Sequence, residues 1–188
     1  MERVQPIRNP KDIEKMKAIL RRQSLRNYML FRVGCNTALR PGDLVGLTVR
    51  SVRDERGDIR EHITVRQEKT GKSARFKLPE SLRKELTEYV AGMEDDAPLF
   101  PSREGGGKRP LSKIQAWRII SEAAEKAGVK DNIGAHSLRK TWAYHAMRKT
   151  GKVSVVQHKL CHSSEKDTLR YTCMDDDEAE AALGDFEL

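Results

Sequence analysis

This 188-residue sequence has little cysteine and no long apolar run. Its three cysteines, Cys35, Cys161 and Cys173, are odd in number and widely spaced, which argues against a secreted, disulfide-stapled protein and fits a reducing compartment. No apolar run approaches the roughly 18 residues that a membrane span needs, and the first residues lack the apolar segment of a signal peptide. We therefore expect a soluble, cytoplasmic protein without a membrane partner.

Positive charge dominates the body of the chain, whereas negative charge is concentrated at its end. The net charge is +8, but residues 174–188 contain seven acidic residues and no Lys or Arg, so residues 1–173 alone carry +15. A strongly basic body is typical of a polyanion binder, because cationic side chains release the counterions of phosphate groups. Ribosomal and membrane-surface proteins are basic too, so the charge alone leaves the partner open.

Hydrophobic periodicity predicts helices on both sides of a small antiparallel sheet. Alternating residues predict strands over 62–66 and 74–78, with a hairpin tip at 69–72. The predicted helices cover about 10–22, 25–38, 79–93, a stretch that begins at Ser112, 136–149, 153–160 and 165–173. In the stretch after Ser112 the inward-facing residues are predicted to be Ile114, Trp117, Ile120 and Ala124. This order favours one mainly helical α+β domain.

Residues with the chemistry of phosphate binding and proton transfer recur along the chain. His136 and Arg139 stand three apart on a predicted helix, so an imidazole and a guanidinium can converge on one anion. Taken singly, these residues have simpler explanations. Lys69 could be a solvated hairpin lysine, His162 a capping residue, and Asp43 an ion-pair partner of Arg40. In chain order the set is Arg40, Asp43, Lys69, His136, Arg139, His162 and Tyr171.

Taken in this order, the set resembles the active site of the tyrosine recombinases, or phage integrases, and the resemblance extends from about residue 9 to 173. It implies a catalytic domain over 1–173 with a small three-stranded antiparallel sheet, an acidic tail over 174–188, and no N-terminal core-binding domain. It also implies site-specific recombination of double-stranded DNA, in integration, excision or inversion, by a bacterial or phage-encoded protein of the nucleoid.

The resemblance assigns a role to each residue. Arg40 and Arg139 would clamp the non-bridging phosphate oxygens, since guanidiniums bind them bidentately and keep their protons. Tyr171 would attack the phosphorus and form a 3′-phosphotyrosyl intermediate, which conserves bond energy, so no metal, ATP or other cofactor is expected. Tyr28, Tyr89 and Tyr144 are interpreted as core or surface aromatics.

The remaining residues would move protons or orient their neighbours. A phenol has an ordinary pKa of about 10, so His136 is predicted to accept its proton as the attack proceeds. Lys69 would protonate the departing 5′-oxygen, with Lys72 as the alternative. His162 would hydrogen-bond the phosphate, and Asp43 would orient the arginine and histidine side chains.

A zinc site is the competing interpretation of the last part of the chain. His158 and His162 stand four residues apart with Cys161 and Cys173 nearby, but Cys161 lies off the histidine face and no CxxC pair completes a closed site. We therefore predict no metal.

Two departures from the family pattern stand out. Cys161 stands immediately before His162, where the family usually has glycine. The close backbone approach that we expect there must then tolerate a small side chain. Because Met1 stands only a few residues before the first predicted helix, we expect the usual N-terminal DNA-clamping domain to be missing. The chain would then be either a fragment, expected to bind DNA weakly, or a single-domain member like the fimbrial-switch invertases.

The tail has an apolar helical stripe formed by Ala179, Ala182, Leu183 and Phe186. In the family a C-terminal helix often docks on the neighbouring subunit, so we expect the tail to hold a homotetramer on DNA, to fold back in cis, or to stay solvated. Two other functions remain open: DNA relaxation like that of type IB topoisomerases, and DNA binding by a regulator that has lost catalysis.

Overall fold

The computed structural model describes residues 4–66, 71–104 and 106–172. The described residues form nine helices and one two-stranded antiparallel sheet, which confirms the mainly helical α+β fold class. The elements are α1 (Pro10–Gln23), α2 (Leu25–Thr37), α3 (Pro41–Val45), α4 (Val49–Val52), β1 (His62–Arg66), β2 (Ser73–Lys77), α5 (Glu80–Tyr89), α6 (Lys113–Lys126), α7 (Ala135–Thr150), α8 (Val153–Leu160) and α9 (Glu165–Thr172). None of these helices has the length and apolar character that crossing a membrane requires.

Local sequence signals set several of the helix boundaries. The side chain of Asn9 accepts a hydrogen bond from the amide of Lys11 at 2.9 Å, and Pro10 follows at the first helical position of α1. Ser112 caps α6 by accepting a hydrogen bond from the Gln115 amide at 3.1 Å, and the Ser112 amide donates to Oε1 of Gln115 at 2.8 Å. These starts agree with the sequence prediction.

The sheet has fewer strands than we expected. β1 and β2 pair with His62 opposite Lys77, and the Ile63–Phe76 pair lies in the core. Among the described residues the expected third strand is replaced by an isolated bridge between Arg53 and Ile59, so the prediction of three strands was wrong in this detail. The turn around Gly57 brings these two residues together for a single pair before the chain enters β1.

The centre of the domain is the crossing of α2 and α7. Gly34 lies at this crossing, where an added Cβ would stand 2.5 Å from Cδ1 of Leu138 and 3.0 Å from Cδ2 of Leu44. Only a residue without a side chain allows the two helices to approach this closely. The crossing fixes the position of α7, and with it the residues beside Leu138.

The predicted inward face of α6 was half wrong. Ile120 and Ala124 are buried, whereas Ile114 is 68% exposed and Trp117 is 51% exposed. Trp117 instead lies over the backbone of Gly134, where an added Cβ would stand 2.6 Å from its Cδ1. Its indole covers the start of α7 with one face, which explains an apolar residue at a half-exposed position.

Candidate active site

Arg139 is the most deeply buried charged side chain of the site. It is 0% exposed, and its two terminal nitrogens donate to the carbonyl oxygens of Ala38 at 2.5 Å and Leu160 at 2.8 Å. These carbonyls belong to the C-terminal ends of α2 and α8, which carry the negative ends of the helix dipoles. Two helix ends therefore hold the buried guanidinium.

Both helix ends have left-handed backbone conformations. Ala38 has φ +50° after α2, and Cys161 has φ +54° after α8. A left-handed residue ends a helix while its neighbours' carbonyls stay free to bind other groups. A φ of this sign favours glycine, so the backbone conformation gives a physical reason for the glycine that the family resemblance leads us to expect at position 161.

Tyr171 is placed against the first turn of α7. Its hydroxyl oxygen lies 2.8 Å from Nε2 of His136, and the guanidinium carbon of Arg139 stands 5.6 Å from the centre of its ring. Tyr171 is partly buried against the core from α9. An imidazole in this position can take the phenolic proton when its Nε2 is unprotonated.

His162 stands between the guanidinium and the phenol. Its Nε2 lies 3.4 Å from a terminal nitrogen of Arg139, and its ring centre is 4.7 Å from that of Tyr171. Burial, followed by the charges of Arg139 and Arg40, lowers the pKa of His162 to about 4. The imidazole is therefore neutral near pH 7 in the DNA-free protein.

Arg40 adds a second guanidinium to the electrostatics of the site. Arg40 immediately precedes α3. Burial is the main cause that lowers the pKa of Arg139 to about 10, and the charge of Arg40 is the second. Because the charge of Arg40 disfavours the charged form of Arg139, an anion between the two cations would be bound favourably. The site therefore has the charge and donor groups of an oxyanion pocket.

The structure describes six of the seven predicted residues. Tyr171 contacts His136, Arg139 and His162. Arg139 also contacts His162, and Arg40 is within electrostatic range of Arg139. Asp43 is buried on α3 beside a depression that Thr64 and Arg66 also line, and its orienting role stays a prediction.

The predicted acid Lys69 lies outside the described residues. Its alternative, Lys72, lines a cavity of about 480 Å³ between β2 and α8 together with Cys161 and His162. The roles of both lysines stay predictions.

Within the described ranges, no three His, Cys, Asp or Glu side chains are grouped as a metal site would require. Cys173, the fourth member of the competing zinc interpretation, lies outside those ranges.

Sequence reasoning missed two parts of the site. The carbonyls of Ala38 and Leu160 left no signal, because any residue type supplies a carbonyl. Thr168, whose Oγ1 lies 3.2 Å from Nδ1 of His162, was detectable in principle, since it precedes Tyr171 by three residues and so shares its helix face.

Comparisons with known proteins show which family the chain belongs to. Residues 8–178 match the model of the phage integrase family. The chain is 38% identical over 186 residues to the probable integrase/recombinase YoeC of Bacillus subtilis, covering 99% of this chain and 98% of that protein. It is 28% identical over 184 residues to the tyrosine recombinase XerA of Pyrococcus furiosus, covering 91% of this chain but 62% of that relative.

Solved structures share the fold. The crystal structure of XerA recombinase superposes with a TM-score of 0.77 at 23% identity, over 97% of this chain and 65% of that one. The XerH recombinase in a pre-cleavage complex with its difH substrate gives a TM-score of 0.71 at 21% identity, over 99% and 56%. By its family match, its relatives and its fold, the chain belongs to the phage integrase family and has a tyrosine recombinase catalytic domain.

Proposed function

We propose that this protein carries out site-specific DNA recombination by cutting and rejoining strands through a 3′-phosphotyrosyl intermediate at Tyr171. The observation that carries the proposal is the contact of 2.8 Å between the Tyr171 hydroxyl and His136 Nε2, beside the buried Arg139. A nucleophile, a base and an anion-binding cation thus converge at one point.

In the proposed reaction the Tyr171 oxygen bonds to the scissile phosphorus and its proton passes to His136 Nε2. The bond from phosphorus to the 5′-oxygen breaks, and that oxygen takes a proton from Lys69. Arg40 and Arg139 stabilise the charge that develops on the non-bridging oxygens, an effect that typically contributes about 10²- to 10³-fold in rate per donor. The reverse sequence on a new 5′-hydroxyl rejoins the strand, so no external energy source enters.

The test is covalent trapping on nicked duplexes that carry candidate recombination sites. After cleavage the short 5′-hydroxyl fragment diffuses away, and the protein stays linked to DNA under denaturing conditions. We expect an adduct with the wild-type chain and none with Tyr171→Phe. Tyr89→Phe is the matched control, because its hydroxyl contacts the Leu99 carbonyl at 2.7 Å in another part of the domain. An adduct that persists in Tyr171→Phe would refute the nucleophile.

Lys69 and Lys72 can be separated by changing the leaving group. A substrate with sulfur in place of the bridging 5′-oxygen releases a thiolate, which needs no acid because thiols have pKa values far below those of alcohols. We expect Lys69→Ala to be slow on the oxygen substrate and restored on the sulfur substrate, with Lys72→Ala near wild type on both. The reverse pattern would assign the acid to Lys72.

Assembly on DNA is part of the proposal, with the tail of one protomer docked on another. A cavity of about 520 Å³ opens among α1, α2, α7 and α8, with apolar Ile13, Trp142 and Val155 and basic Lys149 and Lys159 in its lining. Residues 174–188 combine an apolar stripe with seven acidic side chains, so they complement this lining in both respects.

The assembly proposal is tested by sedimentation of protein–DNA complexes. We expect the chain shortened to residue 173 and the Lys149→Glu variant both to lose the higher-order complex, while Lys126→Glu, an exposed charge reversal outside the cavity lining, keeps it. Higher-order complexes that survive the truncation would refute docking by the tail.

Topoisomerase-like relaxation is the alternative outcome of the same chemistry. Relaxation of supercoiled plasmid at concentrations where the protein is monomeric, without a specific site, would favour it over recombination. Specific DNA binding without any adduct would favour a regulator.

A further inference from the structure

Thr168 joins the helix of the nucleophile to a histidine of the phosphate pocket. It is fully buried on α9, three residues before Tyr171, so the two side chains share a face of the helix. Its Oγ1 lies 3.2 Å from Nδ1 of His162 and 3.2 Å from the carbonyl oxygen of Ser164. The proposed phosphate roles leave this hydroxyl unassigned.

The direction of these hydrogen bonds follows from the number of protons that each group can donate. A threonine hydroxyl has one proton, which it donates to the Ser164 carbonyl, and a lone pair remains to accept a hydrogen bond from His162 Nδ1–H. On the other side of the imidazole, Nε2 faces a guanidinium nitrogen of Arg139 at 3.4 Å, and a guanidinium can only donate. Both neighbours therefore select the tautomer with the proton on Nδ1.

We propose that Thr168 is a positioning residue that holds His162 in the Nδ1–H tautomer, so that Nε2 is the nitrogen presented to the phosphate pocket. The structural part stands alone, whereas its catalytic consequence rests on the proposed strand-cleavage function. A buried partner that orients a functional imidazole through its second nitrogen is a general device of active sites.

The tautomer determines how His162 can interact with a phosphate. Burial, followed by the charges of Arg139 and Arg40, opposes its protonation, whereas Asp167 favours it, and the net result is a neutral ring near pH 7. The neutral Nδ1–H tautomer has a lone pair on Nε2, so His162 donates to a phosphate oxygen only after it takes up a proton there. Thr168 ensures that this proton goes to Nε2, because Nδ1 already holds one.

The tautomer can be measured on the DNA-free full chain by nitrogen-15 NMR of labelled histidines near pH 7, with His162→Gln to assign the signal. We expect Nδ1–H in the wild type and in Thr168→Ser, and a mixed or Nε2–H signal in Thr168→Val. Thr172→Val is the matched control, since Thr172 is also buried on α9 but its hydroxyl donates to the Leu169 carbonyl instead of meeting His162. An Nε2–H signal in the wild type, or an unchanged signal in Thr168→Val, would overturn the proposal.

The catalytic consequence is measured on the nicked substrate. We expect Thr168→Val to lower the cleavage rate about tenfold at saturating DNA without weakening DNA binding, Thr168→Ser to restore most of the rate, and Thr172→Val to stay within about twofold of wild type. Weaker DNA binding at an unchanged rate would refute the positioning role. If the wild type forms no adduct, the recombinase proposal fails while the tautomer result stands.

Discussion

Helices α7 and α9 both supply residues to the site, but they are held in different ways. Half of α7 is buried, including Leu138 against the Gly34 crossing and Arg139 between two helix ends. In α9 the buried residues are Thr168 and Thr172, and Tyr171 contacts the site through its hydroxyl and ring. The proposed anion pocket thus belongs to the hydrophobic core, whereas the proposed nucleophile is only partly buried and contacts His136, Arg139 and His162 through its hydroxyl and ring.

This difference predicts that substitutions in the two helices separate stability from chemistry. A residue of α7 contributes to both, because its removal disturbs the core and the pocket together. A residue of α9 contributes mainly to chemistry, because little apolar surface depends on it.

Arg139→Ala should produce the largest combined effect. It leaves the carbonyls of Ala38 and Leu160 without this donor and creates a buried cavity, so we expect the free energy of unfolding to fall by about 3–5 kcal/mol. Adduct formation should fall by at least about 10²-fold. Urea unfolding and covalent trapping measure the two quantities.

The contrasting variant is Tyr171→Phe, which should lose adduct formation while its free energy of unfolding changes by no more than about 1 kcal/mol. Similar losses of stability in the two variants would contradict the difference that we infer between α7 and α9.

Gly34→Ala should have the next largest effect on stability. The new methyl group overlaps Leu138, so we expect a loss of about 1–3 kcal/mol in the free energy of unfolding. The double variant Gly34→Ala/Leu138→Ala should recover part of the loss relative to the sum of the single variants, because the shortened side chain makes room. Additive losses in urea unfolding would show that the overlap is not the cause.

The pH dependence of stability should report the environment of His162. Its pKa is depressed from 6.5 to about 4, so the folded state favours the neutral ring. That contribution is complete above pH about 6.5 and is lost as the pH falls through about 4. We therefore expect the stability of the wild type relative to His162→Asn to decline over this interval in urea unfolding. A pH-independent difference would contradict this environment.

Cys161 should show the smallest effects. Its φ of +54° suits glycine, so we expect Cys161→Gly to change the free energy of unfolding by less than about 1 kcal/mol. Cys161→Val should destabilise by about 1–2 kcal/mol, because a β-branched residue resists this conformation. Equal stabilities in thermal unfolding would mean that the conformation at the end of α8 is not constrained.

The fold could be predicted from the sequence where a local pattern determines the secondary structure. The strand 62–66 and the helix 153–160 were predicted with the bounds observed, because alternation and helical periodicity are local properties. The position of Trp117 was not, because it depends on Gly134, a residue outside α6. The third strand failed for a similar reason, since pairing depends on a partner elsewhere in the chain.

The same distinction between local and non-local information applies to the site. Side chains with distinctive chemistry, such as Arg139 and Tyr171, could be selected from their order and spacing. The groups that hold Arg139 could not be predicted, because every residue has a backbone carbonyl. The carbonyls of Ala38 and Leu160 become partners of Arg139 only once α2 and α8 are packed.

The central claim is that Tyr171 becomes covalently linked to DNA, and peptide mapping of the trapped adduct tests it most directly. Trypsin cleavage after Lys166 or Arg170 releases a C-terminal peptide whose single tyrosine is Tyr171. We predict that mass spectrometry finds the 3′-phosphate of the cleaved strand on that tyrosine. A nucleotide attached to any other residue, or a linkage through the 5′-phosphate, would contradict the account.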